Sequence, residues 1–501
     1  MLVLLPVQEI LKNIPWLVVL VLAGSGSGKG PLWGLAGLVL ALLAGTVRWF
    51  TTGYQIGPVQ VQLRRGLFRR RTLTVPRDRI RTVDLTANVL HRMLGLASIT
   101  IGTGRTDRKD DRGLKLDGLS AQDAGWLREQ LLHQSALSAT ATSTTAGPPL
   151  PTELAHWQPR WIGYGPFTLS GAVTVLAVIG FGLQIVNEDH LNPSRIGPVH
   201  AVLEQLGSGS STPVLVAALI LAVAIVISLA STLGYILSFW NFRLTRQAGT
   251  LQVTRGLLTS RIVSIDERRL RGVEFSEPLL LRWVHGGRCI AIATGLRVGR
   301  GAERGGSMLL PPAPRALAQS VSALILGSAT PVECDLLAHG RIARRRRFNR
   351  VLLVTVPALL VLLIGWWLGD MPAWGWLAVL ALLLLGLPLA ADRYRSLGHA
   401  VIKERLVVRS GSLVRRRCML SSEGIIGWNL HQSFFQRRSQ VVNLIATTAA
   451  GRQAYRMQDL TWAEAVRVAE QARPGLLAPF IEKSPAAAHR KGGVRAASRA
   501  S

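Results

Sequence analysis

Cysteine is scarce in this chain of 501 residues, which contains only Cys289, Cys334 and Cys418. The three are far apart, and no CxxC pair or other metal-ligand spacing occurs among them. This pattern argues against a disulfide framework and against a zinc site. The sequence therefore gives no sign of an oxidising compartment, and we expect neither a metal nor a cofactor.

The sequence also lacks the motifs that usually accompany catalysis. It contains no HExxH, no GxSxG and no paired-carboxylate arrangement, and its ten histidines are dispersed. The segment GSGSGKG at 24–30 is similar to a phosphate loop, but Gly30 stands where Ser or Thr would bind magnesium. A flexible hairpin loop is therefore favoured there. We predict a protein that is not an enzyme and propose no catalytic residues.

Acidic residues are few, since 28 Asp and Glu stand against 58 Lys and Arg, for a formal net charge of +30. Nucleic-acid binding is one explanation of such a charge, but no recognition-helix or nucleic-acid motif is present. Apolar residues make up 49% of the chain and are clustered in runs near bilayer length. Because about 20 apolar residues span the hydrocarbon core, this pattern predicts a polytopic α-helical membrane protein without a nucleic-acid partner.

About six transmembrane helices are predicted, in three pairs at 10–50, 161–240 and 351–391. The first helix is the shortest, and a signal peptide is the rival interpretation, although a basic n-region is missing. None of the spans has a charged residue near its centre, which weakens a transporter interpretation, because ion and proton pathways usually need one.

A three-fold repeat follows these pairs of spans. Fourteen residues after each of three aligned glycines comes an apolar residue, which gives the pairs Gly66 and Ile80, Gly256 and Leu270, and Gly411 and Ile425. Alternating apolar residues and turn signals surround them, and capping patterns at Ser120 and Thr461 begin a closing helix. We therefore predict three α+β modules, at 51–134, 241–327 and 392–475, each a small β-sandwich or barrel capped by a C-terminal helix. The range 135–160 is predicted to be a linker, and 484–501 a basic disordered tail.

The charge distribution predicts the orientation of the chain. An even number of spans separates the modules, so that all three would lie on the same side of the membrane. The short loops on the other side contain only Lys29 and Arg195 among basic residues, whereas the module side contains, among others, the Arg344 to Arg347 run. Since basic flanks stay cytoplasmic, both termini and all three modules are predicted to be inside.

The segment from Val75 to Gly104 resembles the signature of the bacterial pleckstrin-homology-like (PH-like) membrane proteins of the YdbS/YdbT type. The matching structural residues of the motif are Gly66, Pro76, Asp78, Ile80, Arg92 and Gly95. The third copy adds Phe435-Gln436-Arg437-Arg438, which is similar to an F-Q-R-R segment of that family. The resemblance covers nearly the whole chain, and it implies PH-like β-sandwiches on a bacterial plasma (inner) membrane protein. It implies no established reaction.

Three functions are compatible with this pattern. The first is a membrane-anchored scaffold whose modules bind a protein partner or one another. The second is the sensing of anionic lipid headgroups by a basic edge of the first module, for which the candidate residues are Arg64, Arg65, Arg69, Arg70, Arg71 and Arg79. The third is an accessory role in export of, or resistance to, membrane-active compounds. The plainer alternative for the arginines is that they only fix the orientation in the bilayer.

Overall fold

The structure is a computed structural model of the chain. It describes residues 39, 53–57, 59–65, 71–76, 80, 82–102, 114–127, 130, 151–168, 212–296, 307–369 and 374–480. The chain divides into two compact units, of which unit 1 comprises 1–270, 284–286 and 293–314, and unit 2 comprises 271–283, 287–292 and 315–501.

Module 1 has the predicted order of strands followed by a helix. Its elements are β1 (Gly53–Ile56), β2 (Gln60–Arg65), β3 (Arg71–Pro76), β4 (Thr82–Ala87), α1 (Val89–Met93), β5 (Leu96–Gly102), β6 (Leu114–Ser120) and the helical stretch 121–127, named α2. The hydroxyl of Ser120 accepts a hydrogen bond from the backbone N–H of Asp123 at 2.9 Å. This contact confirms the predicted cap, since an N-cap oxygen satisfies an otherwise unpaired amide of the first turn.

Module 2 follows the first membrane helix that the structure describes, α3 (Thr212–Phe239). A short strand, β7 (Thr152–His156), precedes it in the chain. The elements of module 2 are β8 (Arg243–Gln247), β9 (Thr250–Arg255), β10 (Ser260–Asp266), β11 (Leu270–Pro278), α4 (Leu279–Trp283), β12 (Gly286–Ala293), β13 (Met308–Pro314) and α5 (Arg315–Leu326).

Module 3 follows the short helix α6 (Thr330–Glu333) and the membrane helices α7 (Gly340–Trp367) and α8 (Trp374–Arg395). Its elements are β14 (Gly398–Ile402), β15 (Arg405–Ser410), β16 (Val414–Ser421), β17 (Ile425–His431), α9 (Phe434–Arg438), β18 (Val441–Thr448), β19 (Ala454–Thr461) and α10 (Trp462–Ala472). A capping box joins Thr461 and Glu464 at the start of α10, as predicted.

Modules 1 and 3 each enclose a hydrophobic core. In module 1, side chains from β2 to β6 meet the helix residues Ala124 and Leu127. In module 3, strands β15 to β19 bury their apolar faces against α10, and Tyr455 and Met457 lie at the centre. Ile80 and Ile425 belong to these cores, so that the apolar position of the repeat has the predicted role.

The aligned glycines lie where the backbone needs them in the two modules for which the structure describes them. Gly256 has a φ of +108° and Gly411 a φ of +96°, which are strained for residues with a side chain. A Cβ at either position would also collide with a backbone carbonyl, that of Thr259 or Val414. The third aligned residue, Gly66, lies outside the described residues.

Three of the described helices are long and apolar enough to cross a membrane, over Leu221–Phe239, Gly340–Trp367 and Gly375–Arg395. They agree with the fourth, fifth and sixth predicted spans. The first two predicted spans lie almost entirely outside the described residues. The third was predicted from residue 161, but Pro159–Tyr164 form a 3-10 helix in which Trp161 is buried beside Phe242. The rest of that span, from residue 169 onward, lies outside the described part.

One further prediction needs correction. The range 135–160 was predicted to be a linker, yet β7 lies within it and pairs with β8. The structure also shows a feature that the sequence did not indicate, since strands of successive modules share sheets. In unit 1 one sheet has the order β6-β5-β4-β10-β9-β8-β7, and in unit 2 the strands β11, β16, β15 and β14 are neighbours in this order.

Candidate functional site: the junctions between modules

The first junction is the antiparallel pairing of β4 in module 1 with β10 in module 2. Thr82 faces Ile265, and the pairing continues residue by residue to Ala87 and Ser260. Each strand thereby satisfies backbone groups that would otherwise form an open sheet edge. We call this pairing junction 1.

The second junction, junction 2, is the pairing of β11 in module 2 with β16 in module 3. It begins with Gly272 opposite Leu420 and continues to Pro278 opposite Val414. In the ungapped repeat alignment Gly272 corresponds to Thr82, and Leu420 corresponds to Ile265. The two junctions therefore pair equivalent strands in the same register. A slip by one residue would turn every side chain of a strand to the opposite face of the sheet. The shared register therefore places equivalent side chains on the same face at both junctions.

Both junctions contain the same ion pair at equivalent positions. At junction 1, Nη2 of Arg261 lies 2.7 Å from Oδ2 of Asp84. At junction 2, Nε of Arg416 lies 3.2 Å from Oε1 of Glu274, and Arg452 approaches the same oxygen at 3.3 Å. Glu274 is buried, so the two guanidinium groups compensate a carboxylate that would otherwise be costly to desolvate. Burial lowers the pKa of Arg416, and the nearby charge of Arg452 lowers it further.

A short helix beside each junction adds a second contact. In α1, Nη1 of Arg92 donates a hydrogen bond to the backbone carbonyl of Leu257 in module 2, at 2.8 Å. In α4 the equivalent residue, Arg282, has its Nη2 atom 3.1 Å from Oδ1 of Asp392. Asp392 also binds Arg415 at 3.0 Å. Because Asp392 lies near the end of α8, this network ties a membrane helix to junction 2.

The membrane helix α7 is fixed to module 3 by a buried ion pair. Nη1 of Arg347 lies 2.8 Å from Oδ2 of Asp459, and both side chains are at most 1% exposed. Nε of Arg346 lies 3.1 Å from the other carboxylate oxygen. The first turns of α7 thus pack against strand β19. The run from Arg344 to Arg347, which was predicted to flank the membrane span, belongs to the same helix as the span. These contacts fix the start of α7 to strand β19 of module 3.

Two histidines complete the contacts at the base of α7. Nδ1 of His339 lies 2.6 Å from the carbonyl oxygen of Gln458, which can only accept, so that this nitrogen carries the proton. Nε2 of His339 lies 3.1 Å from Nδ1 of His399. Burial lowers the pKa of both imidazoles, which favours neutral rings, and a neutral His339 accepts this hydrogen bond from His399. Burial, and to a smaller extent the nearby His339, lower the pKa of His399 to about 4.

The structure describes only part of the predicted headgroup surface. Arg64 is exposed on β2, whereas Arg65 and Arg71 lie in β2 and β3, at the two ends of the turn between these strands. Arg69, Arg70 and Arg79 lie outside the described residues. The described part therefore neither assembles nor excludes the predicted basic edge.

The motif residues have structural positions. Pro76 ends β3, Ile80 is in the core, and Gly95 follows α1 with a φ of +64°. Arg92, predicted only as a motif residue, makes the contact across junction 1. Gly66 and Asp78 lie outside the described residues.

The structure describes all three cysteines. All three are free thiols, and Cys289 and Cys418 are buried. Burial raises the pKa of Cys289 to about 12, which disfavours the reactive thiolate. Within the described ranges, no group of three or more His, Cys, Asp or Glu residues could hold a metal ion.

Comparison with known proteins supports the three-fold organisation. A family model for the bacterial PH domain matches residues 4–135, 199–326 and 351–474, which together exceed half of the chain. The UPF0699 transmembrane protein YdbT of Bacillus subtilis (strain 168) is 20% identical over 426 residues, covering 83% of both chains. No solved structure matches. With its apolar helices, the chain is a membrane protein with PH-like modules, and it belongs to the bacterial PH domain family.

Proposed function

We propose that this chain is a non-enzymatic protein of the bacterial plasma membrane, with about six spans and three cytoplasmic PH-like modules that form an interaction scaffold. The observation that carries the proposal is the repetition of one strand register and one ion pair at both junctions. Within each compact unit, the paired strands hold the surfaces on either side of the junction at fixed positions. A fixed array of surfaces suits assembly, because a preorganised binding surface loses little conformational entropy when it binds.

The anchoring of module 3 supports the same interpretation. Asp459 and Asp392 connect the ends of α7 and α8 to the strands of that module. The Asp459 pair is fully buried, so that loss of one partner would leave an uncompensated charge, whereas the Asp392 pair is partly exposed and contributes less. Both carboxylates are engaged in ion pairs with arginines of the same unit.

The experiment that tests the scaffold is capture from intact membranes. The tagged full-length chain is cross-linked in its own membrane with a short photoreactive probe that does not require amines. The cross-linked protein is then extracted and purified. A second polytopic membrane protein with the same tag and expression level serves as the matched control. We expect one protein species, either another chain or this one, in a fixed ratio that the control does not recover. Recovery of the chain only as a monomer would contradict the proposal.

Headgroup sensing is the second candidate, and the exposed Arg64 together with the net charge of +30 favours it. Lys and Arg residues near an anionic leaflet each gain about 1 kcal/mol. The test uses the full chain in nanodiscs with increasing fractions of anionic lipid. Its readout is the protection of the described module 1 amides from hydrogen exchange. Protection that ignores the anionic fraction would remove this candidate.

A further inference from the structure

When the modules are joined in sequence, one third strand and one fourth strand have no partner strand from another module among the described residues. At each junction, the fourth strand of one module pairs with the third strand of the next. In the described part of the chain, neither the third strand of module 1, β3, nor the fourth strand of module 3, β17, pairs with a strand of another module. Among the described residues, β3 pairs only with β2 and β17 only with β18. The chain thus carries both halves of one further junction, at opposite ends of the repeat.

The side chains of β3 show what a partner strand would cover. Leu73 is 41% exposed, whereas its equivalents at the two formed junctions, Val263 and Cys418, are 1% and 7% exposed. Thr74 is exposed as well, while the equivalent Ser264 is buried. Strand β3 has Arg71 and Pro76 at its two ends, and the residues between them include neither a charge nor a proline, the features that usually block an open strand.

The β17 end has matching features. Ile426 on this strand is 62% exposed. The residue equivalent to Arg92 and Arg282 is Arg437 in α9, and it is exposed. In the first two modules this arginine reaches the neighbouring module beside the strand pairing. In module 3 the same arginine is available to a strand that docks on β17.

We propose that β17 of one copy pairs with β3 of a second copy, head to tail, in the register of the two junctions within the chain. That register sets Gly427 opposite Val75, Asn429 opposite Leu73 and His431 opposite Arg71. A second copy is the partner because its β3 is equivalent to β10 and β16, the strands that pair at junctions 1 and 2. The inference rests on the scaffold function and specifies its partner. Strand addition at an open edge satisfies the backbone groups of both strands.

The third junction differs from the other two in its charges. The alignment sets Asn429 at the position of Asp84 and Glu274, and Arg71 at the position of Arg261 and Arg416. The arginine is kept, but an uncharged carboxamide replaces the acid. In the proposed contact, a hydrogen bond with one charged partner therefore takes the place of the ion pair of the other junctions. Because the contact is heterologous, it permits rings or chains of copies.

Disulfide trapping in intact membranes tests the pairing. One copy with the first tag carries Leu73→Cys, and a second copy with another tag carries Asn429→Cys. Both have Cys334→Ser, and the remaining cysteines are buried. We expect mild oxidation to link the two tags. Replacing Asn429→Cys by His431→Cys shifts the thiol two residues along the same face, to a diagonal position beyond the usual disulfide reach, and should reduce the link at least about tenfold. The pair Ala87→Cys and Ser260→Cys, opposite each other at junction 1, serves as the oxidation control.

The charge at position 429 gives a second readout. Asn429→Asp recreates the acid of the other junctions and should increase several-fold the energy transfer between donor-labelled and acceptor-labelled copies of the full chain, an assay that needs no cysteine at position 429. Asn429→Lys should decrease it by a similar factor. Failure of the tags to link while the junction 1 control links would overturn the proposal, as would an equal yield from His431→Cys. If the tags fail to link but membrane capture recovers a different protein in a fixed ratio, the result supports the scaffold function and contradicts the pairing of copies.

Discussion

Asp84 and Arg261 lie on adjacent strands of different modules, with 2.7 Å between carboxylate and guanidinium. Glu274 and Arg416 occupy the equivalent positions one module further along, at 3.2 Å. The repeated unit of this protein therefore includes the connection to the next module as well as the module itself. The predictions that follow test these connections individually.

The ion pair of junction 1 should stabilise the pairing of β4 with β10. Asp84→Asn removes the charge with little change in shape, and its cost should be about 1–2 kcal/mol, because the side chains are only 16% and 25% exposed. Hydrogen exchange of the β4 and β10 amides measures the loss locally. The matched control is Glu423→Gln, since Glu423 pairs with Arg271 at 3.7 Å but is 82% exposed. Equal effects of the two variants would contradict a specific role for the junction pair.

The contact of Arg347 with Asp459 should have the largest effect of any single pair. Asp459→Asn leaves Arg347 buried without its counter-charge, which typically costs about 3–5 kcal/mol. Asparagine also tolerates the φ of +58° at this position, so backbone strain does not confound the result. We expect module 3 to become susceptible to limited proteolysis at lower urea concentrations while α7 stays in the membrane. Unchanged proteolysis would show that the pair does not anchor the module.

The neutral histidine pair predicts a loss of stability in acid. The pKa of His399 is lowered to about 4, from an ordinary value near 6.5. Between these values the unfolded chain binds a proton that the folded chain does not. The free energy of unfolding should therefore fall as pH falls from about 6.5 towards 4, by at most about 1.4 kcal/mol per pH unit for this group. His399→Gln should flatten the profile in that window, and a profile that this variant leaves unchanged would exclude the assignment.

The hydrogen bond from Arg92 to Leu257 should connect α1 to module 2. Arg92→Met keeps the length of the side chain and removes the donor, and the expected cost is about 0.5–1.5 kcal/mol. Faster hydrogen exchange at 257–262 with unchanged exchange in β5 would locate the effect at the junction. Arg64→Met, on an exposed residue of the same module, is the control. An effect spread evenly over module 1 would instead indicate a role in the core of that module.

The sequence predicted the strands and helices of the modules more completely than the contacts between modules. The spacing from Gly66 to Ile80, and its two repetitions, located the strands because glycine conformation and apolar alternation are local properties. Strand pairing across modules was missed, because alternation shows which face is buried and does not show which edge finds a partner. A signal was nevertheless present, since Asp84 and Glu274 are acids at one aligned position and Arg261 and Arg416 are arginines at another.

The base of α7 was also only partly predictable. The run from Arg344 to Arg347 was interpreted as a topology signal, and it continues the membrane helix. That Arg347 is buried against Asp459 depends on a contact between positions more than 100 residues apart, which no local pattern encodes. The same holds for His339 and His399, two of ten dispersed histidines that the fold brings within 3.1 Å.

Native mass spectrometry of the protein, released together with its surrounding membrane, tests the scaffold most directly. The account predicts a defined oligomer of this chain or a complex with one protein partner in a fixed ratio. A monomer that retains a single class of anionic lipid would contradict it and would favour headgroup recognition instead.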